Sequence, residues 1–517
     1  REHLKQHPRE HLSRRNRLGL KGLLRWLKRR KFLEVLIRRE GLYSLLKASA
    51  LKDHGIVYPA LLAERAESPQ KVLKINEAIT LNLERSEVFS DDFLFISEGS
   101  SEPMHLYMKK EEYEKNLYHD DRTKASVLVD TEEGVKVEGV LGDTLRIKPL
   151  PEMGRSEGGH IAHRLYEIDQ SSDDNHRRPD YAVPNITAPL GPNTPFAEAR
   201  STSNHMYPNI HVVVDSAHAS NFGYDQKKIT LYLATFFNAV NLRYKTMSDP
   251  YIRLRIVGIT MSTVDEPYMV VPGQDKNQIL DEETLHAFNQ HYQNKVEFQQ
   301  ADLLYLLTGR DMVFYENQQL VKWVGGYSYI GGMCQSYRVA MSEDPPTSFY
   351  GVQTVAHEVA HSLGCVHDGS GAVNNIPEHR GSQNCGWDDG FIMSYKMQDE
   401  KMYQFSECCK KDIRNMIRFP QWSCLLQRKK KTNIESSLLP GQQTSGDNYC
   451  KRVYPTLPGI HYNKEHGVRD CKVRCEYDTN YYTIGVVDGV ACDTQKKGKK
   501  RCVLGVCKRM SKKKGHK

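Results

Sequence analysis

His357-Glu358-Val359-Ala360-His361-Ser362-Leu363-Gly364-Cys365-Val366-His367-Asp368 reads H-E-x-x-H-x-x-G-x-x-H-D, and this spacing decides how the middle of the chain folds. Residues four apart share one face of a helix, so His357 and His361 aim imidazole nitrogens at one point while Glu358 flanks it. A glycine ends a helix readily in a left-handed turn. Gly364 is therefore expected to swing the chain back and deliver His367 as a third ligand. Three imidazoles that leave the fourth tetrahedral position to water are the layout of a catalytic zinc, one ion per chain. Glu358 is then placed as general base toward a water polarised by that ion. A bare H-E-x-x-H arises by chance about once in twenty chains of this length and histidine content, and the added Gly and His bring that to roughly one in ten thousand. An ordinary buried helix that carries histidines is thus the poorer account.

Downstream, Cys385-Gly386-Trp387-Asp388-Asp389-Gly390-Phe391-Ile392-Met393-Ser394-Tyr395 places Met393 in a turn-rich apolar setting. The extended histidine motif followed by such a Met-turn is the metzincin signature. With Asp368 directly after the third histidine, the chain resembles the reprolysin (adamalysin-like) metzincins. Gly364-Cys365-Val366-His367-Asp368-Gly369, the stretch from Trp387 to Tyr395 and Phe405-Ser406-Glu407-Cys408-Cys409 are similar to the secreted salivary metalloproteases of ticks. The resemblance implies hydrolysis of peptide bonds in extracellular or blood proteins such as fibrinogen and matrix components. It also implies a Cys334 to Cys424 disulfide and a structural calcium site that uses Asp302. The asparagine usual just after the domain's last cysteine is missing, since Leu425-Leu426-Gln427 follows Cys424. Met393-Ser394-Tyr395 is also how astacins and serralysins place a tyrosine near zinc. Tyr395 is therefore an auxiliary candidate, as a fifth ligand or transition-state donor, weighed against a packed, hydrogen-bonded tyrosine.

All twelve cysteines lie between Cys334 and Cys507, six up to Cys424 and six from Cys450. Two even sets without paired C-x-x-C spacing point to two separately closed disulfide systems in an oxidising environment. The 517 residues, 39% hydrophobic, suffice for two or three cores, and no run reaches the eighteen or so apolar residues of a membrane span.

Residues 1–54 are set aside as a basic segment of doubtful authenticity. Arg1 to Glu40 carries fourteen Lys/Arg against four acids, with leucines interleaved, which taken literally is a membrane- or nucleic-acid-binding amphipathic stretch. Nucleic acid is not expected as a partner, and a secretory signal peptide is expected although none is visible. Residues 55–169 hold no cysteine and show short alternating runs, Val72-Leu73-Lys74-Ile75 and Leu94-Phe95-Ile96 among them, as a β-rich propeptide would. Leu81-Asn82-Leu83-Glu84 and Phe89-Ser90-Asp91-Asp92-Phe93 resemble reprolysin propeptides. Many relatives block the metal with a free propeptide cysteine, a device absent here. Latency is left to bulk occupation of the cleft or to another ligand, with His160 and His163 as candidates against two solvated histidines. Residues 170–206 form the linker and activation region, rich in Pro, Asn, Ser and Asp from Gln170 to Ser203 and read as exposed. It contains the dibasic step Arg177-Arg178 and the sequon Asn185-Ile186-Thr187.

The catalytic domain is assigned to 207–427. Strands are expected at Ile210 to Asp215, Tyr251 to Thr260 and Asp302 to Thr308, and helices at Lys228 to Met247 and Glu282 to Lys295. That alternation gives an α/β fold, a twisted, mostly parallel sheet backed by helices. By resemblance, the strand near Gly331-Gly332 is the edge along which substrate lies antiparallel. A linker at 428–447 leads to a small disulfide-rich domain at 448–517, similar to part of the ADAMTS cysteine-rich module. Its end carries eleven Lys/Arg and no acid from Lys496 onward, a charge run suited to heparan sulfate or acidic matrix. The reading is a secreted, extracellular zinc endopeptidase made as a proenzyme. The alternative is a matrix- or heparin-binding protein that acts mainly through the basic tail.

Overall fold

The computed structural model describes residues 52–64, 71–99, 102–168, 180–184, 205–396, 398–426, 447, 450–451, 457–486, 490–492, 500–503 and 506–509. The Arg1 to Glu40 stretch, Arg177-Arg178, the sequon and most of the basic tail lie outside them.

Leu303-Leu304-Tyr305-Leu306-Leu307-Thr308 is apolar at nearly every position, as a strand covered on both faces must be. It is the centre of an eight-stranded sheet. In chain order the strands are β1 (Phe89–Glu98), β2 (Met104–Lys109), β3 (Tyr181–Ala182), β4 (Asn209–Val214), β5 (Arg255–Ser262), β6 (Leu303–Thr308), β7 (Gly326–Tyr329) and β8 (Val339–Glu343). Across the sheet they run β3-β7-β8-β6-β4-β5-β1-β2. Every ladder is parallel except β7 with β8 and β1 with β2. Alternate side chains point to opposite faces. Ile210, Val212 and Val214 with Leu303, Tyr305 and Leu307 pack under helices α1 (Gln226–Tyr244) and α3 (Val352–Ser362). Val213, Leu304 and Leu306 pack under α2 (Asp281–Tyr292). Helix α4 (Glu407–Met416) is capped by Ser406, whose hydroxyl accepts from the Cys409 N–H.

Strands β1 and β2 come from the segment read as propeptide, yet they extend the catalytic sheet beyond β5. A five-stranded sheet ending at β5 would present a row of unpaired backbone groups there, and Leu94-Phe95-Ile96 supplies a strand apolar enough to pair with it. The rest of the amino-terminal part forms a nine-stranded sheet that lies on α1. Ser126 ties the two, donating to the Thr235 carbonyl at 2.8 Å and accepting from Asn238 Nδ2 at 2.9 Å. Arg146 reaches further, its Nε to Ser348 O at 2.9 Å and its Nη2 to Phe349 O at 3.1 Å. Burial pushes that guanidinium down to about 10.

The linker reading needs correction. Asp180 is buried and Tyr181–Ala182 pairs with β7, so the Gln170 to Ser203 stretch is not exposed throughout. A free sheet edge offers N–H groups that any extended segment satisfies, whatever its composition. All twelve cysteines are bonded, within the two sets: 334 to 424, 365 to 409 and 385 to 408, then 450 to 475, 471 to 502 and 492 to 507. The second set staples a three-stranded and a two-stranded sheet, and Ile460 and Val473 of that module pack against Met104 of β2. No helix among the described residues is long and apolar enough to cross a membrane.

Candidate metal centre

Helix α3 carries His357, Glu358 and His361 inward, all of them buried. It ends where Gly364 takes φ +95°, a left-handed conformation that an L side chain adopts only at a cost. A Cβ there would also approach Met416 Sδ at 3.1 Å and Ile376 Cδ1 at 3.2 Å. The turn brings His367 back against the helix. The three Nε2 atoms converge, 3.0 Å apart for His357 and His361, 3.1 Å for His357 and His367, and 3.3 Å for His361 and His367.

The protons on two of these rings follow from their partners. His357 Nδ1 faces the Ile392 carbonyl at 2.7 Å and His361 Nδ1 faces the Cys365 carbonyl at 2.6 Å. A carbonyl only accepts, so each Nδ1 donates, and whenever the ring is neutral its Nε2 lone pair turns toward the other two rings. Burial pushes His361 down to about 4, outweighing the attraction of Asp180, which keeps that ring neutral near pH 7. Lone pairs held this close repel unless a cation sits between them. A tetrahedron with bonds of 2.0–2.1 Å has edges of about 3.3 Å, and the spacings here match it. The residues therefore fit zinc, with second-sphere carbonyls that fix the tautomers.

Facing the three nitrogens is a residue that sequence reasoning did not single out. Asp180 Oδ1 lies 3.0 Å from His361 Nε2 and 2.8 Å from His367 Nε2, and its Oδ2 lies 3.3 Å from His357 Nε2. Burial opposes its ionisation, and positive charge on the three facing imidazoles is what draws its carboxyl well below the usual carboxylate range; a cation among the three nitrogens acts in the same direction. Tyr395 donates its hydroxyl to Asp180 Oδ2, and its ring stacks on His357 with centroids 5.3 Å apart. His163, proposed above as a blocking ligand, is elsewhere: its Nδ1 faces Ile161 O and its Nε2 accepts from Val137 N. His160 sits in the turn with Ser156, its backbone N–H bonded to the Ser156 hydroxyl. Nothing in the composition of the 170–206 stretch marks Asp180 as a ligand.

Glu358 Oε2 accepts from the Ser328 hydroxyl at 2.7 Å, while Oε1 has no hydrogen-bond partner among the described residues. Burial foremost, and then the charge of Asp180, hold Glu358 well above the usual carboxylate range against the Ser328 bond. Gly326 makes room for it. A Cβ at 326 would come within 2.6 Å of Glu358 Cγ, 2.7 Å of its Oε1 and 2.8 Å of Thr354 Cγ2. Gly326→Ala is therefore expected to displace the carboxylate and lower kcat by on the order of ten- to a hundredfold with zinc content unchanged. Peptide hydrolysis and metal analysis on the same sample check this.

Met393 is fully buried and its carbonyl accepts from the Asp368 N–H at 2.9 Å. Asp368 Oδ1 in turn accepts from Ser406 Oγ at 2.6 Å, which locks the third-histidine turn to the start of α4. Asp302 is held by main chain, its Oδ2 accepting from the Asn209 N–H at 2.9 Å. Its neighbours Cys334 and Cys424 are bonded to each other.

A helix-borne His/Glu/His set completed by a third histidine after a glycine turn defines the class, a zinc peptidase. Residues 204–406 match the family model Reprolysin_5, metallo-peptidase family M12. Over these residues the chain is similar to the reprolysin-type metzincins, and the match together with the venom relatives supports a zinc metalloendopeptidase. It is similar to the venom metalloproteinase BumaMPs1 of Olivierus martensii, 27% identical over 73% of this chain and 93% of that one. Venom metalloproteinase antarease TserMP_A of Tityus serrulatus is 27% identical over 62% of this chain and 81% of its own length. The human protein named a disintegrin and metalloproteinase with thrombospondin motifs 16 is 27% identical over 46% of this chain and 18% of its own.

Proposed function

We propose that the chain is a secreted proenzyme which, once activated, hydrolyses peptide bonds of extracellular proteins, His357, His361 and His367 holding the zinc and Glu358 acting as base. The observation that supports this most is the convergence of three Nε2 atoms within 3.3 Å beside a buried carboxylate oxygen that has no hydrogen-bond partner among the described residues. A zinc ion there supplies Lewis acidity that polarises a carbonyl and makes a water acidic near neutral pH.

With Asp180 gone, Glu358 would serve as proton acceptor at Oε1 and as donor to the departing amide nitrogen. Ser328 holds the other carboxylate oxygen and fixes the direction in which Oε1 faces. The N–H groups of Ser328 in β7 and of Ile330 just after it, which donate to the Asp180 and Ala182 carbonyls in the uncleaved chain, would serve an extended substrate once that segment leaves. Recognition that rests partly on main chain tolerates varied side chains. Six disulfides and the venom relatives support an extracellular setting.

Fibrinogen and a collagen-type matrix protein, each incubated with the activated chain, test the substrate class. New amino termini that vanish with a chelator and return with zinc are the expected result. Intact substrates beside an efficiently cleaved short peptide would reject this substrate class.

A further inference from the structure

We propose that Asp180 is the fourth ligand of the metal in the uncleaved chain and that it holds the enzyme latent; this rests on the zinc reading above. Asp180 Oδ1 meets the nitrogens of His361 and His367 at 3.0 and 2.8 Å and Oδ2 meets that of His357 at 3.3 Å, close to the 3.0 to 3.3 Å among the histidines themselves. Asp180 is 9% exposed. An ionised carboxylate buried this deeply costs several kcal/mol unless a cation compensates it. The metal these residues fit is that cation, and zinc takes a carboxylate oxygen at about 2.0–2.2 Å.

The rest of the segment is built to keep the carboxylate there. The Asp180 carbonyl accepts from Ser328 N at 3.3 Å and the Ala182 carbonyl accepts from Ile330 N at 3.1 Å, so the segment is held on β7 from both sides of Tyr181. The Tyr181 ring covers His361 with centroids 4.6 Å apart. Tyr395 orients Asp180 Oδ2 from the opposite wall. The main-chain partner of Asp180 is Ser328, the same residue whose hydroxyl holds Glu358. The segment thus occupies the metal's open position and part of the edge strand together. The twelve cysteines of this sequence are all bonded, so none of them is a free thiol at the site.

The position of Asp180 constrains activation. A cut after Arg178 leaves Asp180 attached to the catalytic segment, whereas a cut between residues 185 and 205 separates the two.

The test uses the full-length chain with Asp180→Ala and with Asp180→Asn, which keeps the shape and removes the charge. Zinc content, the rate of zinc transfer to a chromophoric chelator and the visible spectrum of the cobalt-substituted protein are measured. Hydrolysis of a quenched fluorescent peptide before any cleavage is measured beside them. The wild type is expected to hold one zinc, release it slowly and leave the peptide intact. The variants are expected to release zinc at least tenfold faster, to show an altered cobalt band and to hydrolyse the peptide uncleaved. One zinc with wild-type release, spectrum and latency in both variants overturns the proposal and leaves the zinc reading standing. A wild-type chain that binds no zinc overturns both. If neither variant folds, a peptide of residues 178–184 is tested as an inhibitor of the activated wild type. Inhibition lost on Asp180→Ala in the peptide supports the proposal, and inhibition unaffected by it, or none, overturns it.

Discussion

Glu358→Ala is expected to lower kcat/KM by about 10²- to 10⁴-fold, or roughly 3–5 kcal/mol of barrier, while the chain keeps one zinc. The size follows from what is removed. Glu358 is the buried carboxylate that flanks the three nitrogens without being one of the converging donors, with Oε2 on Ser328 and Oε1 unpartnered. Its loss takes away a proton acceptor and leaves the ligand set filled. The thermal midpoint should not fall, because the carboxylate is buried and only half satisfied, a state that contributes little to folding. Metal analysis, a melting curve and peptide hydrolysis on one preparation check all three parts. An alanine variant as active as the wild type would remove Glu358 from the mechanism. Loss of zinc would instead make it a ligand.

The second large effect is expected at the disulfide between Cys365 and Cys409. It closes a span of 44 residues, which in the chain-entropy account corresponds to about 4 kcal/mol of stability. It also holds the ligands. Cys365 directly follows the Gly364 turn, its carbonyl accepts from His361 Nδ1, and Cys409 lies where Ser406 receives Asp368. A double alanine variant should unfold at lower urea and surrender zinc to a weaker chelator than the wild type needs. Alanine at Cys385 and Cys408 is the control, since that bridge spans 23 residues and neither cysteine carbonyl anchors a ligand histidine. It should cost about 3 kcal/mol with metal retention near the wild type. Equal metal loss in both variants would mean that the Cys365 turn has no special hold on the site.

The ligand histidines were legible because their information is local. Helical spacing aligns His357 with His361, and a glycine that accepts positive φ explains why His367 returns within three residues. The core strands were legible for a similar reason: Ile210 to Val214 and Leu303 to Leu307 are apolar on both faces, which only a central position tolerates. Long-range pairing was not legible. Leu94-Phe95-Ile96 reads as a strand, but nothing in it says that β2 of its own segment pairs on one side and β5 of the catalytic sheet on the other. Six cysteines in the first set allow fifteen pairings, so the 365 to 409 and 385 to 408 bridges had no spacing signal. Asp180 meets His361 across 181 positions from within a stretch of loop-forming residues. Its role comes from backbone pairing of Tyr181–Ala182 with β7, which is indifferent to side-chain type. Gly326 was not singled out from the sequence. The reason for a glycine there, clearance for Glu358, needs the helix and strand in place.

The most direct test of the central claim is a zinc titration of the metal-free chain, activated by cleavage between residues 185 and 205, followed by peptide hydrolysis. The rate should rise in proportion to added zinc and level off at one equivalent, with no rise at any zinc level for His361→Ala. Hydrolysis that proceeds without metal, or a His361→Ala chain that zinc activates like the wild type, would contradict the three-histidine centre.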